Sequence, residues 1–185
     1  MKYKAYSDLV NIIPKDELNR KLRSDYCEID VTMLCFEENY IPIANNVPKE
    51  FTIVDCGCYM AAQSYLFKDF SRYIGVDSYD KSGSLSWYIP PERFTSENTT
   101  HLSLSIKDFL KSDNFKALDL DTTYFICSAV PAFEETSELF DNTKNCAVFY
   151  PGRETLIKGI CEEAIIKERE EIIKELKYFE EDRKR

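Results

Sequence analysis

Short apolar runs alternate with longer polar stretches through the middle of the chain. The runs are FTIVDC (51–56), RYIGVD (72–77), HLSLS (101–105), TYFICS (123–128) and CAVFY (146–150). Each is bounded by Gly, Asp or Ser and is too short for a buried helix, so continuous hydrophobicity here marks strands covered on both faces. Between them MAAQSYLFKDF, IKDFLKSDNF and PAFEETSELF carry apolar residues at helical spacing, while the Ser-, Pro- and Thr-rich stretch 78–100 reads as a loop. No Asn-Gly type hairpin signal separates adjacent runs. The alternation predicts an α/β, three-layer fold: one parallel, right-handed, doubly wound sheet with 51–56 at its centre.

The flanks read as helix. Ser7 or Asp8 can cap a first short helix, Pro14 suits the opening of PKDELNRKLR, and an amphipathic stretch over about 30–43 carries Val31, Met33, Leu34, Phe36, Tyr40 and Ile41. Residues 1–50 are thus a helical N-terminal segment, 51–152 the α/β core and 153–185 one long amphipathic C-terminal helix, all within a single domain. That last stretch holds ten acidic and nine basic residues, with Glu154–Lys158, Glu163–Lys167 and Glu170–Lys174 in the favourable i,i+4 order. No strand is expected within 155–180. A helix of this length outruns a sheet of about five strands, which makes its end a candidate contact for a homo-oligomer.

Composition narrows the partners. The 185 residues carry a formal net charge of −9, which repels phosphate backbones and anionic lipid, so nucleic acid is disfavoured as a partner. Nothing approaches about 18 apolar residues in a row, and the N-terminal apolar stretch is broken by Pro14 and charges; neither a signal peptide nor a membrane span is expected. Seven cysteines, odd in number and mostly within apolar runs, read as reduced core thiols and point to a cytoplasmic protein. No metal is expected, because Cys56-x-Cys58 has neither a second close Cys pair nor more than the single His101 to complete a tetrahedral site. His101 itself, at a strand start, is expected at the surface.

In doubly wound sheets ligands bind beyond the carboxyl ends of the strands. The first run ends in Asp55-Cys56-Gly57-Cys58-Tyr59-Met60-Ala61, where small residues let the backbone approach a ligand. The second ends in Gly75-Val76-Asp77, and an acidic residue at that strand end can accept both hydroxyls of a ribose.

IVDCGCYMAAQSYLF followed by YIGVDSYD resembles motifs I and II of the class I S-adenosylmethionine-dependent methyltransferases, whose first motif runs apolar-apolar-Asp-x-Gly-Cys-Gly-x-Gly. Asp55, Gly57 and Cys58 match that motif. Tyr59 and Ala61 stand where the second and third glycines would be. The resemblance covers roughly 30–152 and implies a Rossmann-like methyltransferase fold with strand order 3-2-1-4-5. It lacks the antiparallel hairpin with which the family usually closes its seven-stranded sheet. It also implies S-adenosylmethionine as cofactor, with Asp77 on the ribose, Ser105 and Ile106 near adenine, and Cys127, Ser128 and Pro131 beside the transferred methyl group. SDYCEIDVTMLCFEENY is placed like the family's lid helix, which makes Tyr26, Asp30 and Thr32 candidates for the substrate side.

No Asn/Asp-Pro-Pro-aromatic signature follows the fourth run, which agrees with the net charge in arguing against a nucleic-acid base as acceptor. The implied activity is methyl transfer to a small molecule or a protein. The alternative reading is a methyltransferase-like fold without transfer, serving as a binding or assembly module. Tyr59, the missing hairpin and Ser105 in place of an acidic residue favour that alternative. Loss of Gly-x-Gly-x-x-Gly argues against a dinucleotide. Cys58, Cys127 and Ser128 read as packing rather than nucleophiles, since no base accompanies them.

Overall fold

The computed structural model describes residues 2–4, 8, 11–16, 29–59, 61–78, 93–128, 133–150 and 155–182, with the backbone alone for 29–37, 133 and 176–182. Five strands follow the apolar runs: β1 Thr52–Cys56, β2 Arg72–Val76, β3 Thr99–Leu102, β4 Thr123–Ser128 and β5 Asn145–Phe149. A sixth, β6 Leu156–Lys158, completes a mixed sheet of order β3-β2-β1-β4-β5-β6. β1 pairs in parallel with β2 and β4, β2 with β3, and β4 with β5. β6 runs antiparallel to β5, Ala147 opposite Ile157.

Helices cover both faces. Along β1, Ile53 faces a layer made of α1 (Ile29–Asn46), the 3-10 helix η1 (Ala62–Phe67) and α5 (Glu162–Asp182), whose buried side chains include Ile41, Ile43, Phe67 and Ile165. Val54 and Cys56 face the opposite layer of α2 (Ile106–Lys111), α3 (Asp113–Lys116) and α4 (Phe133–Asn142), through Ile106, Phe109 and Leu139. Strands buried on both faces have no polar side to display, which is why their sequence reads as continuous apolar runs. Among the described residues no helix is long and apolar enough to cross a membrane.

Three expectations are corrected. The C-terminal segment is not one helix from 153: β6 precedes α5, which begins at Glu162. Leu156 and Ile157 alternate between the two core layers as a strand requires. Gly159, at φ 96°, then turns the chain against β5, where a Cβ would meet Asn145 Oδ1 at 2.5 Å and Lys144 O at 2.6 Å. The sheet is therefore six-stranded and mixed rather than five-stranded and parallel. Second, the third strand ends at Leu102, because Ser105 caps α2 by accepting the Asp108 N–H at 3.0 Å. Third, the helix after β1 shrinks to six 3-10 residues, and Asn98 Nδ2 donates to the carbonyls of Phe67 and Phe70 at its end.

Candidate functional site

The carboxyl ends of β1 and β2 bring together Asp55, Gly57, Cys58, Tyr59, Ala61 and Asp77. Parallel pairing in register, Asp55 opposite Gly75 and Cys56 opposite Val76, sets the loop after β1 beside the end of β2. Gly57 N–H donates to Val76 O at 2.7 Å, Tyr59 N–H to Asp77 Oδ2 at 2.8 Å, and Ala61 N–H to Cys58 O at 2.8 Å. The backbone turns with positive φ at all three motif positions: 79° at Gly57, 48° at Tyr59 and 55° at Ala61. The latter two are left-handed conformations that ordinarily favour glycine, held here by tyrosine and alanine.

Asp55 is fully buried and saturated by the protein. Tyr40 OH from α1 donates to Oδ1 at 3.0 Å, while Tyr73 OH from β2 and Gln63 Nε2 from η1 donate to Oδ2 at 2.5 and 2.7 Å. Gln63 Nε2 also donates to Cys58 O at 2.9 Å, tying this network to the loop. Burial pushes the Asp55 carboxyl up to about 6, against the lowering effect of its three donors. The same burial, with the Asp55 charge adding to it, raises the Tyr40 and Tyr73 phenols well above their usual range.

Asp77 is half-buried. Burial raises its carboxyl, while the Tyr59 N–H and the charge of Arg93 act in the opposite direction. Cys58 is 1% exposed, and its thiol is held well above the usual range, first by burial and then by Asp55. Cys127 pairs with Cys56 across β1 and β4 on the far face; its thiol is raised by a hydrogen bond to Cys56 and by burial. Neither is poised as a thiolate nucleophile.

The remaining candidates divide. Ser128, at the end of β4, accepts a hydrogen bond from Asn39 Nδ2 at 3.0 Å, and the buried Asn39 Oδ1 has no partner among the described residues. Ser105 is engaged in capping and also donates to Asp108 Oδ2 at 2.8 Å, and Ile106 is buried among the apolar residues of the α2 layer. Tyr26 and Pro131 lie outside the described residues, as do the side chains of Asp30 and Thr32. Cys56, Cys58, Cys127, Cys146 and Cys161 are free, and no group of three potential metal ligands occurs among the described residues.

Sequence reasoning missed Tyr40, Gln63, Tyr73 and His101. The first three had a signal: an aspartate inside an apolar strand must find donors when buried. His101, expected at the surface, is half-buried at β3, where its Nε2 donates to Phe94 O at 2.9 Å. Its Nδ1 and the Cys58 Sγ lie 2.7 and 2.8 Å from where a Cβ on Gly75 would sit, so only glycine fits at 75. No protein-family model matches the chain, and no curated protein matches it.

Proposed function

We propose that the chain binds S-adenosylmethionine at the loop after β1 and passes its methyl group to a small-molecule or protein acceptor. What supports this reading is the backbone at 57, 59 and 61, which keeps positive φ at each position where the methyltransferase motif has glycine, directly beside Asp77 at the end of β2. The Asp77 carboxylate, beside the loop at the end of β2, is the acidic group at hand for a ribose diol. The sheet order β3-β2-β1-β4-β5 followed by an antiparallel strand is consistent with a Rossmann-like α/β fold.

When bound, the cofactor supplies an already activated methyl group, so the protein's task is positioning. Asp77 would hold the ribose, the 57–61 loop would face the methionine portion, and Ser128 with Asn39 would border the transfer end. Free thiols at five positions, four of them buried, favour a reducing compartment such as the cytoplasm.

A second reading, a scaffold without transfer, is favoured by two observations. Asp55 is saturated internally, and Tyr59 packs against the same apolar cluster as α1. Calorimetric titration with S-adenosylmethionine and S-adenosylhomocysteine, with NAD and ATP as controls, separates the two. The proposal expects binding of the first pair alone, weakened by about 1.5–3 kcal/mol in Asp77→Ala, the usual range for lost charged hydrogen bonds. Absence of binding by either methionine compound selects the scaffold.

A further inference from the structure

Among the described residues no strand pairs with β6 on the side away from β5. An unpaired edge presents backbone N–H and C=O groups that can extend the sheet by one more strand. A groove of about 290 Å³ follows this edge. It has Phe140, Leu156, Ile157 and Ile166 as apolar lining, with Glu162 and Glu170 among its polar residues. Ile166 is the one large apolar side chain classed as exposed among the described residues, at 38%. Lysine commonly blunts an edge strand, but the Lys158 ammonium lies 4.4 Å from the centre of the Phe140 ring.

Charge selects the occupant. Arg169, also in the lining, is paired with Glu38 at 3.7 Å and lies over the Phe149 ring. Glu162 and Glu170 have no ion pair among the described residues, and Lys158 lies over Phe140 on the other layer, so the α5 side of the groove presents negative charge on a chain of net charge −9. We infer that the β6 edge binds an extended, cationic peptide segment of a partner protein. The segment adds as a seventh strand, with Lys or Arg at alternate positions on the α5 face meeting Glu162 and Glu170, and apolar residues between them on the opposite face against Leu156 and Phe140. Main-chain pairing would supply the affinity and the alternate side chains the selectivity. The inference is independent of methyl transfer.

The test uses the full chain and three fluorescent octapeptides followed by anisotropy. One alternates Lys with Val, one alternates Glu with Val, and the third is the Lys–Val peptide with N-methylated backbone amides. The expected result is at least tenfold tighter binding of the Lys–Val peptide than of the other two. Glu170→Lys should reduce that preference at least fivefold, and Ile166→Arg, at an already exposed position, should weaken the Lys–Val peptide at least tenfold while the far-UV circular dichroism melt is retained. Equal binding of the Lys and Glu peptides, full binding of the methylated peptide, or no Lys–Val binding at millimolar concentration overturns the inference. So does a concentration-dependent dimer abolished by Ile166→Arg, which would give the edge to a second copy of the chain.

Discussion

Asp55→Asn tests whether the buried carboxylate at the centre of the site is held ionised at a cost to the fold. The carboxyl moves from an ordinary 3.8 to about 6, chiefly through burial. Each tenfold change in proton affinity is worth about 1.4 kcal/mol, so ionising Asp55 within the fold costs on the order of 3 kcal/mol more than ionising it in the unfolded chain. Because the folded value is the higher one, this contribution to stability is complete below 3.8 and is lost as pH rises through about 6.

Asparagine has nearly the same shape and never ionises. Its Oδ1 can take the Tyr73 OH and Gln63 Nε2 donors that now share Asp55 Oδ2, while its Nδ2 faces Tyr40 and leaves the Tyr40 hydroxyl hydrogen without its acceptor. One lost hydrogen bond costs about 1 kcal/mol. The variant should therefore be roughly 1 kcal/mol less stable than wild type near pH 4 and about 2 kcal/mol more stable at pH 7.5. Urea unfolding followed by circular dichroism from pH 4 to 8 measures both proteins, and their difference isolates Asp55 from other titrating groups. A difference that stays flat with pH, or a variant that becomes relatively less stable toward pH 7.5, would show that the three donors outweigh burial and would refute the reasoning.

Gly75→Ala should destabilise by about 1–3 kcal/mol in thermal or urea unfolding, since the new methyl group meets His101 and Cys58 at under 3 Å. Ser105→Ala should cost about 1 kcal/mol through the lost α2 cap and leave S-adenosylmethionine affinity unchanged in calorimetry; a tenfold loss of affinity would instead restore Ser105 as an adenine contact. Tyr59→Gly relieves a left-handed tyrosine worth roughly 1–2 kcal/mol and gives up a partly buried ring of similar value, so its melting temperature should stay close to wild type. Its cofactor affinity is the informative reading: tighter binding supports the scaffold, whereas equal or weaker binding supports the transferase.

Burial on both faces made β1, β2, β4 and β5 legible, because each apolar run carried its own boundary. The third strand slid because Thr99 and Thr100 are polar and lie before the apolar run, while Ser105-x-x-Asp108 is a helix-capping pattern that sat inside HLSLSIKD. β6 was hidden for a different reason. Three residues are too few to show a period, and Glu154–Lys158 matched the helical charge spacing of the residues that follow. The turn at Gly159 becomes visible only with its partner, since it exists to bring Ile160 N–H onto Asn145 Oδ1 at 2.9 Å. Similarly, an aspartate in an apolar strand announced a need for donors but not their addresses, for Tyr40 and Tyr73 come from 15 residues before it and 18 after it.

The loop between β1 and η1 shows how a glycine-rich conformation can persist without its glycines. Tyrosine and alanine in the left-handed region each cost on the order of 1 kcal/mol or more, so surrounding contacts must over-determine their conformation. They do so from three sides. Asp77 captures the Tyr59 N–H from β2, Cys58 O captures the Ala61 N–H within the loop, and Gln63 ties that same carbonyl back to Asp55 in β1. Asp77 and Asp55 thereby act on the loop's backbone before they act on any ligand. The consequence is directional: a change at either aspartate should first alter the loop, and a ligand effect at Asp77 counts as direct contact only if Asp77→Asn, which keeps an acceptor for Tyr59 N–H, loses affinity nearly as fully as Asp77→Ala. Restored affinity in the asparagine variant would assign Asp77 to positioning the loop instead.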